Sequence, residues 1–358
     1  MNAHEELVLR CAARRRAKIG PLSDRAYEEL VAAVRERPEA FVDDPAEEAF
    51  AELARGLDAY AASLHDDDLL DDEEYQRART QRLAALRRAC DRALAIDDGC
   101  LDARLLDALA ADLDPDPLTE RLLDLEGEFG ELGLGELGAP AGGEKGGDAV
   151  AAAGAAAAAN AGPAAAASPA PDPASGGLWD DVFARPRLRL RAALSRTYLD
   201  GARMAKARDA AASLVAATPS DPLGARHTQA LALARLEDEE GFDALDARFG
   251  RRGTTWTHLA RVLLLYKLDR MPAARRALRG FDDLCEGGAY ALLRPTYVEI
   301  YLPDRPEVAP GSFEESMLAT REAEPIVADV PDFVAWCQDQ DWFATSAVTF
   351  AERNDLDW

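Results

Sequence analysis

Apolar residues recur three and four positions apart along most of this chain, the spacing that lays one stripe along a helix. Leu83, Leu86, Cys90, Ala93 and Leu94 set such a stripe along residues 81–96. Helix starts carry capping chemistry. Asp43 and Asp44 before Pro45 and Glu47 predict a helix to about residue 64, and 71–74 (Asp-Asp-Glu-Glu) predict a longer one. Asp221 with Pro222 predicts another start, and Ser312 with Glu315 is a Ser-x-x-Glu capping box ahead of a helix to about residue 324. Period-two alternation is nearly absent, and its best instance is 297–302 (Tyr-Val-Glu-Ile-Tyr-Leu), bounded by Pro295 and Pro303. The pattern predicts an all-α protein.

Within that pattern the helices come in pairs. A helix-turn-helix repeat of about 34 residues needs a small residue at close crossings, a bulky spacer, and proline after the second helix. Residues 188–221 supply these as Leu194, Ser195, Tyr198, Ala207 and Pro219. Two further units follow, 223–235 with 242–249, then 255–268 with 272–284, the last carrying Trp256, Leu259, Ala260, Leu263 and Ala274. Upstream, residues 93–103 read as a junction between two such repeats. At these positions the chain resembles the tetratricopeptide repeat (TPR) family, with Arg191 and Leu214 departing from the family's pattern. Residues 187–338 also resemble the TPR-like region of suppressor of tumorigenicity 7 and related bacterial proteins. The resemblance implies an α-solenoid that serves as a protein-interaction scaffold and performs no chemistry.

Composition divides the array. From Gly138 to Gly177, 32 of 40 residues are Ala, Gly or Pro, too little apolar surface to offset chain entropy. The division expected is an N-terminal helical segment over 1–126, a disordered Ala/Gly/Pro-rich linker over 127–178, TPR-like repeats over 179–285, and a less regular C-terminal cap over 286–358. Basic charge is carried by 37 Arg and four Lys, and Asn occurs three times, a usage typical of a high-GC bacterial genome.

Charge changes the picture further. The net charge of −25 opposes general polyanion binding, yet it is unevenly spread. Residues 1–126 carry 31 acidic and 17 basic side chains and 280–358 carry 17 and 4, whereas 185–279 carry 10 acidic and 19 basic. A basic middle between acidic flanks fits an acidic protein or peptide partner. It also fits an intramolecular contact between the acidic N-terminal segment and the basic repeats, because a 40-residue flexible chain spans on the order of 35 Å.

Candidate chemistry is sparse. Four scattered histidines and no Cys-x-x-Cys or His-Glu-x-x-His spacing predict no metal, no cofactor and no catalytic residues. Five irregularly spaced cysteines (Cys11, Cys90, Cys100, Cys285, Cys337) read as reduced buried thiols. No secretion signal is read at the N-terminus and no membrane segment elsewhere, which gives a cytoplasmic expectation. The remaining candidate is the concave face of the repeats, where Arg189, Arg196, Arg226, His227, His258 and Arg261 are phased to clamp a carboxylate or acidic peptide through charge-assisted bonds. The function expected is therefore a non-enzymatic adapter. The alternative is a nucleic-acid-associated regulator using the arginines of 185–208, from Arg185 to Arg208.

Overall fold

A computed structural model describes residues 2–65, 67, 70–130, 176–295 and 302–358. Sixteen α-helices and no strand occur among them. Of the linker expected over 127–178, residues 131–175 lie outside the described residues, as do residues 297–301 of the strand candidate, while at its described ends 127–129 finish a helix and Gly177 opens a 3-10 turn.

The N-terminal region builds α1 (Ala3–Ile19), α2 (Asp24–Glu36), α3 (Pro45–Ala62), α4 (Asp72–Ile96), α5 (Leu101–Ala110) and α6 (Pro115–Phe129). Asp44 caps α3 by accepting from the Ala46 N–H, with Pro45 in the first turn. Asp71 and Glu74 close a reciprocal capping box on α4. Helices α3 and α4 cross so closely that a Cβ placed on Gly56 would stand 2.4 Å from the Ala89 Cβ. Gly56→Ala therefore sets a helix-propensity gain of about 1 kcal/mol against an overpacking cost of about 1–3 kcal/mol. Overpacking should win, because a separation that short forces the helices apart. A thermal melt should show a lowered midpoint for Gly56→Ala and recovery when Ala89→Gly is added, and an unchanged single variant would refute the close crossing.

Next come α7 (Arg185–Asp200), α8 (Met204–Ala217), α9 (Ala225–Arg235), α10 (Glu239–Arg248), α11 (Thr255–Lys267) and α12 (Met271–Leu284). Helices α7 and α8, α9 and α10, and α11 and α12 pack in pairs, α8 also packs on α9, and α9 touches both α7 and α11. Leu194, Ser195 and Ala207 are all at most 1% exposed, and α8 stops two residues before Pro219. The turns α7–α8, α9–α10 and α11–α12 share one geometry. Ala202, Glu237 and Asp269 take left-handed φ values of 55°, 59° and 56°. In each turn the N–H of the following residue reaches the carbonyl five positions back: Arg203 to Tyr198, Asp238 to Leu233, Arg270 to Leu265.

One predicted start is displaced. The helix expected at Asp221 and Pro222 begins at Ala225, because Asp221 is itself left-handed (φ 53°) and caps from outside, accepting from the N–H groups of Ala225 and Arg226.

The C-terminal residues form α13 (Gly288–Leu293), α14 (Phe313–Ala328), α15 (Asp332–Gln338) and α16 (Asp341–Arg353). Helix α14 is capped by Ser312 and runs past the expected end with Pro325 inside it. It packs against α11 and also touches α7 and α9.

Two large apolar cores meet at α5. Leu101, Leu105 and Ala108 join the core that runs through α6–α16, whereas Ala103, Leu106 and Ala110 join the core of α1–α4. Helix α6 packs on both α5 and α7, so the described parts on either side of 131–175 are in direct contact. No helix among the described residues is long and apolar enough to cross a membrane.

Candidate functional site

The six residues phased for a clamp do not converge on one opening. Arg189 on α7 is 1% exposed, and its guanidinium holds Glu6 of α1 in a two-pronged pair at 2.8 and 2.5 Å. Its Nε donates to Asp304 at 2.9 Å, and Asp102 of α5 stands 3.6 Å from Nη1. Arg10 of α1 joins Glu6 and Asp102 at 2.7 and 2.6 Å, and Arg185 lies 3.7 Å from Glu6. Three guanidiniums and three carboxylates thus balance in the interior. Burial by itself would raise the Glu6 carboxyl, but Arg189 and Arg10 outweigh it and hold Glu6 down at about 2. Trp179 stacks on the Arg185 and Arg189 guanidiniums.

Arg196, two turns further along α7, donates to the Pro303 carbonyl at 2.8 Å. The other four residues lie among α9, α10 and α11. Arg226 stacks on Phe249 and lies 3.5 Å from Asp221. Arg261 lies over Phe242 and pairs with Asp243 and Asp246 at 2.6 and 3.3 Å. His227 is buried and stacked on Trp256 with ring centroids 4.1 Å apart, and burial, then the charges of Arg305 and Arg226, keep it neutral. His258 is partly buried, which lowers its basicity too. The alternative basic stretch is also largely neutralised: Arg191 pairs with Glu126, Arg203 with Asp116 and Arg208 with Asp209.

The chain's own segment 302–305 occupies the inner side of the helix pairs. Arg305 donates to both oxygens of Glu322 at 2.7 and 2.9 Å, to the carbonyls of Leu223 and Gly224, and to Thr228 Oγ1. Glu322 on α14 also accepts from Trp256 Nε1 at 2.9 Å. Sequence reasoning missed this pin, as it missed Glu6 and Asp102, because each partner is far along the chain and no local pattern marks it.

Beside that segment lies a cleft of about 770 Å³, walled by α4, the α5–α6 turn, the C-terminal end of α7, and α14. Its apolar lining comes from Leu109, Leu113, Leu118, Leu199, Leu318 and Pro325. Its cations are engaged: Arg79 grips Asp112 at 2.6 and 2.8 Å, Arg321 pairs with Glu324, and Arg196 holds Pro303. Asp200, the last residue of α7, is accessible to solvent yet recessed in the concavity. Loss of hydration there, with Glu322 adding to it and Arg321 and Arg196 offsetting it, pushes the Asp200 carboxyl up to about 6.

Exposed arginines that form no ion pair among the described residues are scattered over several helices and turns, Arg37, Arg88, Arg187 and Arg252 among them, and three of them stand together on α12. Arg275, Arg276 and Arg279 are exposed within two turns and form no ion pair among the described residues; Arg279 lies over Trp342. All five cysteines are buried free thiols, and burial pushes every one upward, away from thiolate. Among the described residues no group of three or more His, Cys, Asp or Glu side chains is placed to hold a metal ion. No protein-family model, curated protein or solved structure matches the chain.

Proposed function

We propose that the protein is a non-enzymatic, TPR-like α-solenoid scaffold that holds an acidic protein partner, and that the partner docks on α12. The observation that carries this reading is where basic charge remains after internal pairing. Arg189, Arg226 and Arg261 are answered by the chain's own carboxylates, whereas Arg275, Arg276 and Arg279 face solvent unanswered in a molecule of net charge −25. A local basic face on an acidic body favours one orientation of an acidic partner and repels polyanions elsewhere. The three matched turns and the core that runs through α6–α16 support the solenoid reading, since stacked helix pairs present a rigid surface.

The test is affinity capture from native lysate with mass spectrometry, comparing the wild type with Arg275→Glu/Arg276→Glu/Arg279→Glu, with and without nuclease. Exposed substitutions of this kind shift stability by only about 0.5 kcal/mol each, so the bait stays folded. The expected result is a partner recovered by the wild type in both arms and lost from the triple variant. A partner retained by the triple variant removes α12 from the reading. Recovery that vanishes with nuclease replaces it with nucleic-acid association.

A further inference from the structure

The cleft between α7 and α14 carries an inference that is independent of the α12 reading. Its volume of about 770 Å³ lies in the range of small-molecule and side-chain pockets, about 300–1,000 Å³. Aliphatic side chains supply much of its wall, which suits a methylene stem. What distinguishes it is the charge left after internal pairing. Arg79, Arg196 and Arg321 are each engaged with a neighbour, and Glu322 is held by Arg305 and Trp256. Two lining carboxylates, Asp114 and Asp200, make no hydrogen bond or ion pair through their side chains among the described residues.

We propose that this cleft binds an alkylammonium or guanidinium group on an apolar stem, with the Asp200 carboxylate as the counter-ion. An exposed carboxylate with no internal partner, set in the wall of a cleft with much aliphatic lining, is answered best by a cation with N–H donors on an apolar stem. An anionic ligand would instead meet two unanswered carboxylates and find each arginine already occupied. A free amine and a lysine or arginine side chain share this chemistry.

The site is also sensitive to acid. Asp200 is faced by Arg196 from its own helix, by Arg321, Glu322 and Glu324 from α14, by Asp112 and Asp114 from the α5–α6 turn, and by Arg79 from α4. Its carboxyl is raised to about 6, so it is ionised at neutral pH and becomes protonated in mildly acidic solution, where the counter-ion is lost.

The experiment titrates the full chain by calorimetry with cadaverine and with acetyl-Ala-Lys-Ala-amide. Each probe has an uncharged match, 1,5-pentanediol for the diamine and the norleucine tripeptide for the peptide. Expected are binding of a charged probe, a loss of roughly tenfold or more with its uncharged match, and a similar loss with Asp200→Asn. Wild-type affinity should fall between about pH 7.5 and about pH 5, while Asp200→Asn responds little. Asp124→Asn, an exposed acid of α6 outside the cleft, should bind as the wild type does. Binding of the peptide alone assigns the cation to a protein side chain, and binding of cadaverine assigns it to a free amine; either supports the site. The proposal is overturned if neither charged probe binds, if an uncharged match binds equally, or if Asp200→Asn binds like the wild type. Circular dichroism identifies a variant that has lost its fold, and Asp200→Ala then supplies the replacement.

Discussion

Glu6→Ala is expected to destabilise the protein by about 3–5 kcal/mol, the cost of breaking a buried charge network from one side. Glu6 is 3% exposed and bridges Arg189, Arg10 and Arg185, so its removal leaves an excess guanidinium charge in the interior. Arg189→Met should cost a similar amount for the opposite reason, since Glu6 and Asp304 then lose their shared partner. The double variant Glu6→Ala/Arg189→Met leaves two cations facing two anions. It should therefore be more stable than the sum of the singles by about 0.5–3 kcal/mol. Urea unfolding of the four proteins measures this, and additive losses would show that the pair is not coupled. The sign with pH follows from the same residue. The folded state holds Glu6 at about 2, below the ordinary carboxylate value, so its contribution is complete above the ordinary value and is lost as pH falls through about 2. Glu6→Ala should accordingly flatten the acid limb of the stability profile.

Glu322→Ala should be nearly as costly, about 3–5 kcal/mol, because it removes the carboxylate whose two oxygens the Arg305 guanidinium holds. It also leaves Trp256 Nε1 without its acceptor in the interior, at about 1–3 kcal/mol as part of that total. Glu322→Gln keeps an acceptor for the indole and should cost less. Hydrogen exchange gives a second readout, since Arg305 fastens the 302–305 segment to the carbonyls that precede α9. Loss of Glu322 should speed exchange in 302–311 more than in α8. Uniform acceleration would mean that the residue supports the whole core and not this segment in particular.

The helices were legible in the sequence because their signals are local. Asp44 before Pro45, Asp71 with Glu74, and Ser312 ahead of Glu315 all cap the helices expected of them. The phasing that marked Leu194, Ser195 and Ala207 as buried positions was likewise short-range. Asp221 shows the limit of such reading, since its left-handed backbone pushes the helix start to Ala225. The candidate site was less legible because pairing is not local. Arg189 finds Glu6 across 183 positions and Asp304 across 115, and nothing near α7 announces either carboxylate. The reversal of charge between 185 and 279 was real in the sequence, but much of it neutralises the acidic flanks. The three arginines of α12 differ from the buried ones in standing at the surface without an ion pair, although Asp282 on the same helix lies close enough to feel Arg279.

The three matched turns have a bearing on sequence divergence. Their left-handed positions hold Ala, Glu and Asp, and the geometry is secured by main-chain bonds from Arg203, Asp238 and Arg270. A bend written in the backbone tolerates nearly any side chain at its apex, at a strain of about 1–2 kcal/mol where glycine is not used. Copies of such a unit are therefore free to drift until they share no residue at the bend, while the path of the chain through them stays the same.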